Sequence, residues 1–182
     1  MDDVESPGGY EPYRRYPVGG AAVDFVALAL AATCWELLAV GSVLDGISLL
    51  EGTVILLGIG PVLVAHELTH YFTARSLGLS ATIDWAFPTP HAAPLRQHVA
   101  RGQNLAVLLA PAVVVGGVAL TAALTVSHPL VVAACTLAVL VNTACAAGDI
   151  VGAVWLAVQP PGTVVYLDVT PDDARELYAR PK

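Results

Sequence analysis

The stretch "LLGIGPVLVAHELTHYFTARSLGL", residues 56 to 79, decides how the rest of the chain is read. Its first ten residues are apolar or glycine and proline, and a His-Glu-x-x-His run follows at His66, Glu67 and His70. On a helix, His66 and His70 lie four residues apart and share one face, with Glu67 beside His66. Two neutral imidazoles on one face suit zinc, and a catalytic zinc needs a third protein ligand and an open position for water. Glu67 is then placed to take a proton from that water and hand it to a leaving amine. Three ionisable groups at membrane depth are expensive, and such groups mark functional sites.

The composition agrees with a membrane setting. Of the 182 residues, 56% are hydrophobic and 13% charged, and the mean hydropathy is +0.69, well above that of an ordinary soluble domain. From Gly102 to Gly148 there is no Asp, Glu, Lys or Arg. As one helix this stretch would run about 70 Å against a hydrocarbon core of about 30 Å. It must turn back once, and "SHP" at Ser127–Pro129 is the place, because proline starts a helix well. Spans are expected near residues 21–40, 52–74, 104–126 and 130–158, the last long enough to tilt or break around Asp149.

The eight basic residues test that count. Arg14 and Arg15 precede the first span. Arg75, Arg96 and Arg101 lie between the second and third, and Arg175, Arg180 and Lys182 follow the fourth. With four spans every one of them falls on one side. The positive-inside rule then predicts a multi-pass protein of the cell membrane, with both termini and the middle loop in the cytoplasm. The net charge of −7, with no basic patch, excludes nucleic acid as a partner.

The expected fold class is therefore an all-α membrane protein of about four transmembrane helices. Residues 1–20 read as a mobile cytoplasmic tail, acidic and unlike a signal peptide. Residues 21–158 form the membrane domain and 159–182 a small cytoplasmic tail. In the middle loop, Ile83, Trp85 and Phe87 alternate before three prolines, which predicts a short extended segment. In the tail, "VVYLDV" reads as strand-like. Thr170, Pro171 and the acidic pair Asp172–Asp173 after it predict a helix start. Cys34, Cys135 and Cys145 read as buried small hydrophobes.

Depth along the helices points to the third ligand. His70 lies about 12 Å from the cytoplasmic end of its span and Asp149 about 13 Å from the end of its own, so antiparallel helices bring them level. Asn142, two helical turns before Asp149, faces the same way. It could hydrogen-bond the metal-bound water, a ligand or a substrate backbone, or simply bridge two helices. Glu36, His91, His98 and His128 lie toward the interfaces or in loops, and Pro61 is placed to kink its span one turn before the motif.

"HELTHYFTARSLGL" resembles the motif helix of site-2 proteases, the intramembrane zinc metalloproteases, and "NTACAAGDI", Asn142 to Ile150, resembles the region where they supply an Asp ligand. Gly148 precedes Asp149 here, and the Asn-Pro and Leu-Asp-Gly pattern of that family is absent. The form is closer to the membrane "putative zincin peptidase" proteins related to site-2 proteases. The resemblance implies one zinc held by His66, His70 and Asp149, with Glu67 as general base. It implies an endopeptidase acting on membrane-embedded or juxtamembrane peptides, with the loop around "TIDWAFPTP" presenting a substrate strand. The alternative is a catalytically inactive zinc-binding membrane protein that holds transmembrane segments.

Overall fold

The computed structural model describes residues 4–84, 91–94, 96–170 and 173–182. In chain order the elements are β1 (Arg14–Arg15), α1 (Ala21–Leu37), α2 (Val40–Leu44), α3 (Leu49–Leu57), α4 (Ile59–Ser76), β2 (Thr82–Asp84), β3 (His91–Ala93), β4 (His98–Ala100), α5 (Arg101–Thr125), α6 (Pro129–Cys145), α7 (Ala147–Ala157), β5 (Val164–Thr170) and β6 (Asp173–Ala179). Helices form the bulk of the molecule, and α5 packs against α4, α6 and α7.

Local sequence sets the helix ends. Ser48 starts α3 with a capping box: its Oγ accepts from the Glu51 N–H, while Glu51 Oε2 accepts from the Ser48 N–H at 2.9 Å. Glu51 is thus a first-turn residue, and not a loop residue before a span at 52. The proline ring of Pro61 conflicts with the carbonyl four residues earlier, at Leu57. The helix breaks between α3 and α4 at Gly58. At the other end of α4, Gly78 takes φ +79°, the Gly78 N–H reaches Arg75 O at 3.1 Å, and the Leu79 N–H reaches Ala74 O at 3.0 Å. This is a Schellman stop, and it places His70 six residues before the helix end. Pro129 opens α6 at its first position, so the chain does turn back at Ser127–Pro129.

Among the described residues, two helices are long and apolar enough to cross a membrane, Leu49–Ser76 and Arg101–Thr125. The pair α6 and α7, bent by 51° at their junction, makes a third if it forms one broken span. Helix α1 stops at Leu37. Its 17 residues give about 25 Å, at the lower limit for a membrane-crossing helix.

The protein is not all-α. A four-stranded sheet in the order β1-β6-β5-β4 gathers the N-terminal segment, the segment before α5 and the C-terminal tail, and a separate hairpin pairs β2 with β3. The extended middle segment is present at Thr82–Asp84, while Trp85, Phe87 and Pro88 lie outside the described residues. The helix expected after Thr170 is strand β6, paired antiparallel to β5 with Thr170 opposite Asp173 and Val164 opposite Ala179. Pairing buries Leu177, Tyr178 and Ala179 against the sheet, which outweighs the helix propensity of "ARELYA".

Aromatic rings fasten the sheet to α7. The Trp155 ring meets Tyr16 edge-on at 4.6 Å and Tyr178 at 4.7 Å between centroids, and Tyr16 OH donates to Gly152 O at 2.9 Å. Across the bundle end, Arg101 Nη2 donates to Ala157 O at 2.6 Å, tying the start of α5 to the last turn of α7. Trp155→Ala is expected to cost about 3 kcal/mol, from lost ring burial and two aromatic contacts. The measurement is thermal unfolding with limited proteolysis. The expected result is a lower Tm and new cleavage within residues 162–182.

Candidate metal centre

Two helices bring the ionisable residues together. Helix α4 supplies His66 and His70, both buried, and the first turn of α7 supplies Asp149. His66 Nε2 lies 3.2 Å from Asp149 Oδ2, His70 Nε2 lies 3.3 Å from the same oxygen, and the two Nε2 atoms are 3.2 Å apart. These atoms form a nearly equilateral triangle. Zinc bonded at about 2.0–2.1 Å in tetrahedral geometry sets its ligand atoms about 3.3–3.4 Å apart, so the triangle matches one face of that tetrahedron.

The protonation pattern fits as well. His70 Nδ1 lies 2.8 Å from the backbone carbonyl of Val107, which can only accept, so Nδ1 carries the proton. His66 Nδ1 lies 3.0 Å from Asn142 Oδ1. The amide is oriented by Asn142 Nδ2, which donates to Pro111 O at 3.1 Å, so Oδ1 accepts and His66 Nδ1 also carries a proton. In the neutral rings both Nε2 atoms then present lone pairs to a carboxylate oxygen. Three convergent acceptors with no donor among them repel one another unless a cation lies between them.

The break between α6 and α7 lets Asn142 and Asp149 reach opposite edges of one imidazole. Asn142, 1% exposed, holds the Nδ1 edge of His66 from α6. Asp149 meets the Nε2 edge from the start of α7, where free backbone N–H groups favour a carboxylate. Both polar atoms of the Asn142 side chain are thus committed to protein, Oδ1 to His66 and Nδ2 to Pro111. Of the roles open to it, the interhelical bridge is the observed one.

The triad opens into a cavity of about 630 Å³. Glu67 lines it, outside the triad, and its Oε2 accepts from the Ala92 N–H of β3 at 2.9 Å. The four-stranded sheet forms another wall. Tyr16, Glu176 and Leu167 lie in one cross-strand row and all line the cavity. Glu176 keeps accessible area because it opens into the cavity, yet burial among the surrounding atoms, and next the facing Asp149, raise its carboxyl above the usual range. The same kind of burial, with Glu176 and Asp149 nearby, raises the Tyr16 phenol.

Other candidates stand apart. Glu36 is exposed on the last turn of α1, His128 occupies the N-cap position of α6 without a side-chain cap, and exposed His98 pairs its Nδ1 with Tyr13 OH at 2.7 Å. His91 begins β3, whose neighbour Ala92 contacts Glu67. The cysteines are free. Cys34 and Cys135 are half-buried, and Cys145, read from sequence as buried, is exposed and lines the cavity at the α6–α7 break.

A buried His-Glu-x-x-His helix with a carboxylate from a second helix defines a zincin-type metal protein. Residues 59–164 match the family described as "putative zincin peptidase", and the chain belongs to that family. The matched region contains all three triad residues and Glu67, and zinc is the cofactor that the family implies. No curated protein and no solved structure matches the chain.

Sequence reading passed over four contributors to this centre: Val107, Pro111, Tyr16 and Glu176. A proline in the middle of an apolar helix was a usable signal for the second, since it always strips one carbonyl of its helical donor. Nothing local marks Tyr16 or Glu176, because strand pairing across the whole chain brings them to the cavity.

Proposed function

We propose that this protein is an intramembrane zinc metalloendopeptidase that hydrolyses peptide bonds of membrane-embedded or juxtamembrane substrates. The observation that carries the reading is the triangle of His66 Nε2, His70 Nε2 and Asp149 Oδ2 beside Glu67, in a cavity next to apolar helices. Four passes through the bilayer, with both termini and the middle loop in the cytoplasm of a cell-membrane protein, accord with one sheet that joins β1, β4, β5 and β6. Kinship with site-2 proteases is part of the same proposal and rests on the motif helix and the later Asp.

Zinc held by His66, His70 and Asp149 supplies Lewis acidity, polarising the scissile carbonyl and making a water acidic near pH 7. The chain's own residues do the rest. Glu67 Oε takes the proton of the attacking water and delivers it to the leaving amide nitrogen as the C–N bond breaks. The Nδ1 hydrogen bonds of His66 and His70 hold both rings as neutral ligands throughout. A substrate helix has its carbonyls occupied by its own N–H groups, so it must unwind before a peptide bond can enter. Strand β3 lies beside Glu67 and offers backbone groups to an extended peptide.

One observation favours the rival, a catalytically inactive zinc protein that binds transmembrane segments: the Glu67 carboxylate already accepts the Ala92 N–H. Reconstitution in vesicles with single-span model peptides separates the two. The expected result is cleavage that stops with a zinc chelator and returns when zinc is restored. Binding of the peptides with zinc loaded and no cleavage across the panel would favour the rival.

A further inference from the structure

The centre contains a device on α5, a helix that supplies no ligand. Pro111 lies inside α5, is fully buried and has no N–H. In a continuous helix the residue at 111 would donate to the carbonyl of Val107. That carbonyl therefore lacks its helical donor, in a residue only 4% exposed, and a buried carbonyl without a partner is costly. The donor it receives is His70 Nδ1–H at 2.8 Å. The missing amide proton at 111 is thus the reason an acceptor is open at the height of His70.

The same turn also sets the other histidine. Pro111 O accepts from Asn142 Nδ2 at 3.1 Å, which turns Asn142 Oδ1 toward His66 Nδ1. Gly116, one turn further on, makes room for this amide. A Cβ there would come within 3.2 Å of Asn142 Nδ2, while a Cβ on the neighbouring Gly117 would meet nothing within 4 Å.

We propose that Pro111 is a positioning residue of the metal centre, with Gly116 as its support. Pro111 acts by keeping Val107 O free to hold His70 in the Nδ1–H form, so that Nε2 faces the metal position. The inference rests on reading His66, His70 and Asp149 as the zinc ligands. A buried proline with only a structural role is the competing account, and the two differ in what replacement does. Alanine restores the N–H at 111, which then competes with His70 for Val107 O. Its higher helix propensity should leave a purely structural helix at least as stable.

The test uses the full chain in detergent, with zinc affinity measured by competition against a chromophoric chelator. Nitrogen-15 NMR of the histidine side chains in the metal-free protein reports the ring tautomers. Pro111→Ala is expected to weaken zinc binding about 10- to 100-fold, the usual size for loss of an outer hydrogen bond to a ligand. It should also reduce the Nδ1–H form of His70. An α-hydroxy analogue of alanine at 111, which makes an ester and again lacks the N–H, is expected to restore both. Gly116→Ala should weaken zinc less, by about threefold to tenfold, and Gly117→Ala should not change it.

Wild-type affinity and tautomer in folded Pro111→Ala would overturn the proposal, as would an ester variant that folds without regaining zinc. Failure of the wild type to bind zinc would instead remove the ligand assignment, and the inference with it. The two failures are therefore distinguishable.

Discussion

Glu67→Gln is expected to leave zinc bound while lowering the rate of peptide cleavage by about 10²- to 10⁴-fold, the range of a lost general base. Glu67 is not one of the three converging ligands, so its amide analogue leaves the triangle of His66, His70 and Asp149 untouched. Glutamine has the same length, and its Oε1 can still accept from the Ala92 N–H, so the contact with β3 is kept. What it lacks is a basic oxygen able to take and return a proton. The measurement pairs metal content with the cleavage rate of a model membrane peptide. Equal rates in the two zinc-loaded proteins would remove Glu67 from the chemistry. The variant should also accumulate uncleaved substrate, which the inactive-binder reading does not predict relative to wild type.

Asp149→Ala carries the second large effect, a loss of zinc affinity of at least about a thousandfold. The site would fall from three protein ligands to two and lose its only negatively charged donor. His66 and His70 keep their Nδ1 partners, Asn142 and Val107, so the helices should hold their places without the carboxylate. The two histidines remain 3.2 Å apart and can hold metal only weakly. Chelator competition on wild type and variant measures this directly. Unchanged affinity would mean that another carboxylate completes the site, and Glu176 on the facing sheet would be the first to examine.

How much of this was readable beforehand follows from the range of the forces involved. The His66–His70 pair needed only the helical repeat, because residues four apart share a face whatever surrounds them. Asp149 followed from length counting, since two spans of a bilayer share common depth marks. The turn at Ser127–Pro129 followed from a proline that can only begin a helix there. The tail beyond Thr170 went the other way. Its capping residues and its Ala, Arg, Glu and Leu favour a helix locally, but antiparallel pairing with β5 decides for a strand. The expected first span, residues 21–40, ends sooner than its composition suggests, because α1 stops at Leu37 and the chain turns at Ala39, in the left-handed region.

By itself, then, the sequence determined the apolar character of the long helices and the shared face of His66 and His70 on the motif helix, which depend on composition or on spacing within one helix. Only the tertiary structure decided that Asn142 clamps His66, that Pro111 opens a carbonyl for His70, and that a sheet built from both tails walls the cavity. Each of these joins residues far apart in the chain. Hydrogen-bond partners of buried groups are chosen by which elements pack together, and no local pattern encodes that choice.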